Sequence, residues 1–125
     1  MTNKKNILII DDDSRNIFAL SAVLRAKSFD CVSSLTAADA IRIVKDDPHI
    51  DVVLIDMMMP EMDGYTAIPL IKDILANKST PVIAVTAQAM VGDREKCLQA
   101  GADGYISKPI DVDQLLSILK ESARL

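Results

Sequence analysis

Ile7-Leu8-Ile9-Ile10-Asp11-Asp12-Asp13 and Val52-Val53-Leu54-Ile55-Asp56-Met57-Met58-Met59-Pro60 decide the fold. Each is a short run of apolar residues that stops at carboxylates. Working outward, similar runs recur at Cys31 to Ser34, Val82 to Val85 and Gly104 to Ile106. Five strands are expected over Ile7 to Ile10, Cys31 to Ser34 (the weakest), Val52 to Ile55, Val82 to Val85 and Gly104 to Ile106. Helical patterns lie between them, and strict alternation of the two implies a parallel sheet with crossover helices.

The helices are read from their faces and caps. Arg15 to Lys27 carries Ile17, Leu20 and Leu24 on one side, with Asp13 or Ser14 as its cap. Ala37 to Asp46 repeats Ala37, Ala40, Ile41 and Val44 behind a Thr36 cap. Asp111 and Gln114 have capping-box spacing before a last helix striped by Val112, Leu115, Leu116 and Leu119. A third helix over Tyr65 to Ala76 is expected to start late or kink, because Pro69 removes a backbone donor. A fourth over Val91 to Ala100 ends at Gly101 and has only Met90, Val91, Cys97 and Leu98 as large apolar residues. So thin a face marks it for movement or partner contact.

A length of 125 residues suits one domain, expected over 1–125. The net charge of −4 comes from 18 acids against 14 bases, and of the acids only Glu61, Glu95 and Glu121 are Glu. No basic run or face stands out, so nucleic-acid binding and anionic-membrane binding are not expected. Cys31 and Cys97 form no CxxC pair and His49 is the one imidazole, which argues against structural zinc. Both thiols are expected to be reduced packing residues, and His49 a surface side chain. No apolar run reaches membrane-spanning length, and the Met-Thr-Asn-Lys-Lys-Asn start is no secretory signal; a cytoplasmic location is expected.

Ligands of an open parallel α/β sheet bind at the carboxyl ends of the strands. Asp11, Asp12 and Asp13 follow the first strand, Asp56 the third, Thr86 the fourth, and Ser107 with Lys108 the fifth. Crowded carboxylates resist ionising unless a cation compensates them. All-oxygen ligands suit a hard ion, and Mg²⁺ takes one or two carboxylates, keeps waters and recruits a phosphate. A carboxylate can attack phosphorus to give an aspartyl phosphate while metal, lysine and hydroxyl neutralise the transferred group. Each residue alone also has an ordinary reading. The Asp run can be a loop and a cap, Asp56 a turn carboxylate, Thr86 a strand residue, and Lys108 a solvated lysine before proline. Their coincidence at strand ends is what separates the readings.

These motifs, with Ala84-Val85-Thr86-Ala87 and Ala100-Gly101-Ala102-Asp103-Gly104-Tyr105-Ile106-Ser107-Lys108-Pro109, resemble the receiver domain of two-component response regulators. The likeness runs in order over essentially the whole chain. It implies a flavodoxin-like (βα)5 fold, a doubly wound sandwich with a five-stranded parallel sheet in the order 2-1-3-4-5. Asp56 falls on the phosphoacceptor, supplied by a phosphohistidine of a histidine kinase or histidine phosphotransfer protein. Asp12 falls on the direct Mg²⁺ ligand, Asp11 on its water-mediated companion, and the Met58 backbone carbonyl completes the coordination. Thr86 matches the hydroxyl that meets the phosphoryl group, Lys108 the base that pairs with it, and Tyr105 the aromatic switch. The Lys108-Pro109 peptide is implied to be cis, an isomer open to X-Pro bonds. Met58 and Gln88 fall on positions that vary dephosphorylation rate.

The segments starting at Ser14 and Gly92 look most like receivers attached to hybrid sensor histidine kinases, and Pro69 departs from the usual pattern. The resemblance implies a phosphoacceptor switch rather than an enzyme with turnover. Its repacking surface would be the fourth helix, fifth strand and fifth helix, where a downstream protein would bind. Two other readings remain at this point. Asp11-x-Asp13 fits the nucleophile and acid of a small dehalogenase-type phosphatase, although the chain is short for one. A flavodoxin-like electron carrier binding FMN lacks an evident hydroxyl-rich phosphate loop.

Overall fold

The computed structural model describes residues 4–76, 78–87 and 92–123. Strands β1 (Asn6–Ile10), β2 (Asp30–Ser34), β3 (Val52–Asp56), β4 (Val82–Thr86) and β5 (Gly104–Ser107) alternate with helices α1 (Ser14–Ala26), α2 (Ala37–Asp46), α3 (Gly64–Ile74), α4 (Asp93–Gln99) and α5 (Val112–Ala123). The strands pair parallel in the order β2-β1-β3-β4-β5. The parallel sheet is the one expected from the alternation, and its order is that of the α/β flavodoxin-like fold implied by the receiver-domain resemblance. Each strand extends beyond the expected limits by one residue, so Asp56, Thr86 and Ser107 end their strands rather than follow them.

Strand periodicity divides the core into two layers. Leu8, Ile10, Val53, Ile55, Val82 and Ala84 face Ala37, Ala40 and Val44 of α2, Ala67, Ile68 and Ile71 of α3, and Cys97 of α4. Ile7, Ile9, Val52, Leu54, Ile83 and Val85 face Leu24 of α1 and Leu115 and Leu119 of α5. All residues of β3 and β4 are buried because helices cover both faces. β2 is the most exposed strand, pairing only with β1 at the sheet's edge, which explains its weak apolar signal. Among the described residues no helix is long and apolar enough to cross a membrane.

The caps follow the sequence. The Asp13 carboxylate accepts the Arg15 N–H at 2.9 Å, and Thr36 Oγ1 accepts the Asp39 N–H at 3.1 Å. Asp111 Oδ1 accepts from Asp113 and Gln114 at 2.9 and 3.3 Å. Two helices differ from expectation. α3 does not start late: Asp63 accepts the Thr66 N–H at 3.0 Å and the helix begins at Gly64. Pro69 is the sixth helical residue and exposed, so it removes a bond only after this cap has organised the first turn. α4 begins at Asp93, because Gly92 at φ 94° has a left-handed backbone that a right-handed helix cannot include. Met90 and Val91, expected in its apolar face, lie outside the described residues, as does Gln88. Gly101 closes α4 at φ 113°.

Of the side chains expected to be ordinary, His49 is exposed, and the free cysteines divide: Cys97 is buried and Cys31 half-buried. Met57 and Met59 pack in the core while Met58 is exposed.

Candidate functional site

Sheet register builds the site. Ile10 pairs with Ile55, so the residues that follow, Asp11 and Asp56, come level with one another at the carboxyl edge. Asp56 pairs with Val85, which sets Thr86 one step farther out; Thr86 pairs with Ser107, which sets Lys108 one step beyond that. The Lys108 N–H donates to the Thr86 carbonyl at 2.7 Å, and the Lys108-Pro109 peptide is cis.

Asp11 and Asp56 are buried, at 7% and 6% exposure, whereas Asp12 is exposed. Carboxylate oxygens of all three lie within 4.8 Å of one another. Backbone groups orient the two buried ones. Asp11 Oδ1 accepts the Asp13 N–H at 2.9 Å, and Asp56 Oδ1 accepts the Met58 N–H at 3.0 Å. Each turns its Oδ2 towards Lys108 Nζ, 3.4 Å from both. Burial works against the ammonium, but the charges of Asp56 and then Asp11 outweigh it and hold the Lys108 pKa above its ordinary value.

Among the described residues, three carboxylates against this one ammonium leave two negative charges uncompensated. A divalent cation of the hard, oxygen-preferring kind fits that deficit and the all-oxygen donor set. Thr86 is 2% exposed at the end of β4. Tyr105 is set back from this cluster, level with Ala84, and packs half-buried against the layer that contains Cys97.

The structure therefore brings together Asp11, Asp12, Asp56 and Lys108, with Thr86 joined through the backbone and Tyr105 behind. Asp13 is used otherwise. Its carboxylate caps α1, which removes the acid partner that a phosphatase built on Asp11 would need. A cleft of about 490 Å³ also opens beside Asp11 and Lys108, walled by Leu20 and Val23 of α1 and by Ile110 and Val112. Sequence reasoning did not find it, since only tertiary packing sets α1 beside residues 108–112. Nor did it place Tyr65 of α3, which packs against the core layer that contains Cys97 of α4.

Comparison with known proteins agrees with this geometry. Residues 7–120 match the family model of the response regulator receiver domain. The polar-differentiation response regulator DivK of Brucella ovis is 32% identical over 116 residues, covering 93% of this chain and 94% of DivK. The signal transduction histidine-protein kinase BarA of Shigella flexneri is 38% identical over 117 residues, which cover 90% of this chain but 12% of the kinase. Among solved structures, the receiver domain of the sensor histidine kinase PA1611 from Pseudomonas aeruginosa PAO1 superposes with a TM-score of 0.87 at 32% identity. The match covers 98% of this chain and all of that one, which holds magnesium in its active-site cleft. Neither a phosphatase built on Asp11 nor a flavin carrier is favoured by these likenesses. The chain belongs to the response regulator receiver domain family, the signalling modules of two-component systems.

Proposed function

We propose that Asp56 accepts a phosphoryl group from the phosphohistidine of a histidine kinase or histidine phosphotransfer protein, in a Mg²⁺-dependent reaction. A carboxylate oxygen of Asp56 attacks phosphorus, the P–N bond breaks, and the imidazole leaves and takes up a proton. The observation that carries the reading is the cluster itself: one ammonium 3.4 Å from two buried carboxylates, with a third carboxylate beside them. Asp11, Asp12, Asp56 and the Met58 carbonyl would hold Mg²⁺. When bound, the ion supplies positive charge for the phosphoryl oxygens.

Lys108 and the Thr86 hydroxyl then close on the new charge, and Tyr105 turns with them. The α4–β5–α5 face repacks and presents a changed surface to a downstream protein. The chain is read as one receiver domain over 1–125 that catalyses only its own phosphorylation and dephosphorylation. It works in the cytoplasm and contacts neither nucleic acid nor membrane. The donor class draws support from two relatives named above, each part of or described as a histidine kinase.

Acetyl phosphate with Mg²⁺, followed by borohydride trapping and mass spectrometry, tests the assignment. The label is expected on Asp56 and is expected to vanish in Asp56→Asn; a label that survives this substitution overturns it.

A further inference from the structure

The cleft beside the carboxylates has an apolar length and a charged end. Asn16, Ala19, Leu20 and Val23 stand at i, i+3, i+4 and i+7 of α1, so one face of that helix forms a wall. Leu20 and Val23 look across about 490 Å³ towards Ile110 and Val112. All four are only half-buried, although Leu24 of the same helix and Leu115 of α5 are buried completely. Protein interiors close such gaps where side chains can reach. This one stays open in part because Ala19, exposed and also lining it, has nothing beyond its methyl to put there. The volume lies within the roughly 300–1,000 Å³ of small-molecule sites, which are mostly apolar with a few convergent polar groups.

The polar groups gather where α1 meets the strand ends. Asn16 is the third residue of the helix, while Val23 lies about two turns farther along. Asp11 and Lys108 also line the cleft, and behind them stand Asp12 and Asp56. The excess there is negative, so a charged group entering along the cleft is drawn in if it is a cation and repelled if it is an anion. Asp11 Oδ2 already accepts from Lys108 at 3.4 Å, but a carboxylate oxygen takes more than one donor. The Asn16 amide can turn its oxygen to the same region.

We propose that this cleft binds a small primary ammonium compound with a bulky apolar body. The ammonium donates to the Asp11 carboxylate and the Asn16 amide oxygen, and the body fills the space between α1 and residues 110–112. Excluding water from the ion pair strengthens it. Bound there, the amine draws on the negative charge that Mg²⁺ would otherwise use, so amine and metal weaken one another's binding reciprocally. The cleft itself goes beyond the assignment of Asp56. Only the competition rests on the reading of the three carboxylates as the metal site.

Tryptamine serves as the probe. The chain contains no Trp, so indole emission reports the ligand alone. Titration with the full chain in the absence of metal, by fluorescence and by calorimetry, is expected to show saturable binding and a blue shift. Indole-3-acetate keeps the ring and reverses the charge, and is expected to bind at least about tenfold more weakly. Mg²⁺ at ten times its own Kd is expected to raise the apparent tryptamine Kd about elevenfold. Ala19→Phe fills the cleft from an exposed position and is expected to abolish tryptamine binding, with Mg²⁺ affinity and melting temperature near wild type. Asn16→Ala is expected to weaken the amine by about threefold to tenfold, the loss of one charge-assisted bond. The proposal is overturned if wild type shows no saturable binding, if indole-3-acetate binds as well, if folded Ala19→Phe still takes tryptamine, or if bound Mg²⁺ leaves the amine's affinity unchanged. Cleft-dependent tryptamine binding by a chain that takes up no Mg²⁺ overturns the metal reading and leaves the cleft assignment standing.

Discussion

Lys108 Nζ lies 3.4 Å from Oδ2 of Asp56, the same distance that separates it from Oδ2 of Asp11. The ammonium is thus the internal counter-charge of a site built to receive a larger one. Among the described residues it is the one ammonium bonded to these carboxylates, too little charge to balance three of them, and it would compete with a metal for the same oxygens.

This competition gives Lys108→Met two opposite effects. With the ammonium gone, Mg²⁺ meets an unopposed cluster, and its affinity is expected to rise about threefold to tenfold, given the screening of a site at the surface. The rate of Asp56 labelling by acetyl phosphate is expected to fall by at least about tenfold, because a fixed donor to the transferred group is missing. Calorimetric titration of Mg²⁺ checks the first effect and trapping kinetics the second. Weaker Mg²⁺ binding in the variant would show that Lys108 organises the site rather than opposing the metal.

Asp12 separates metal binding from folding. It is exposed, unlike Asp11 and Asp56, so Asp12→Ala is expected to change stability without metal by no more than about 0.5 kcal/mol. At ten times its Kd, Mg²⁺ stabilises the wild-type fold by about 1.4 kcal/mol, or about 5 °C for a domain of this size. Most of that shift is expected to disappear in Asp12→Ala. Thermal melts of the two proteins across a Mg²⁺ series decide it; an undiminished shift in the variant places the ion elsewhere.

Alkaline pH acts on the buried thiol of α4. Burial pushes the Cys97 thiol above its ordinary 9.0, with Asp93 adding to the rise and Tyr65 opposing it. A raised folded value means that the unfolded chain gives up this proton first. The stabilisation is complete below pH 9 and is lost as pH climbs through the folded value. The Lys108 pKa is raised as well, so its contribution holds below its ordinary 10.5 and is lost above that. Urea midpoints are expected to fall from about pH 9 upward, with the first part of the fall flattened in Cys97→Ser. An unchanged fall between pH 9 and 10 in that variant would remove Cys97 as its cause.

Much of this could be read before any coordinates. Apolar runs ending in acids located β1 and β3, and their common length foreshadowed the register that sets Asp11 beside Asp56. Asp13 and Thr36 announced helix starts because short polar side chains satisfy free N–H groups locally. Readings that depended on distant partners were not legible. Pro69 suggested a disturbed helix start, yet the Asp63 cap six residues before it governs where α3 begins. Gly92 looked like a helical position until its left-handed backbone appeared. The sequence also suggested that α4 was thinly anchored, and among its residues only Asp93 and Cys97 are buried.

Gly64 offers the sharpest test of how rigidly the acceptor loop must be built. A Cβ on this residue would lie 2.9 Å from the Met57 Cα and closer still to the Met57 sulfur. The sulfur can swing aside, but the Cα belongs to the backbone immediately after Asp56, and it is also held by the Met57–Val85 and Gly64–Met57 hydrogen bonds. Gly64→Ala should gain slightly from helix propensity at the first position of α3 and lose more from overpacking, for a net cost of about 1–3 kcal/mol. The strain falls on the peptide that carries the Met58 N–H to Asp56 Oδ1, so labelling of Asp56 should slow beyond what the loss of folded protein explains. Urea denaturation beside trapping kinetics, both at a temperature where the variant is fully folded, separates the two effects. A stable variant with normal labelling would mean that this loop yields by several tenths of an ångström at no cost, and that the close approach of Gly64 to Met57 is incidental to the site.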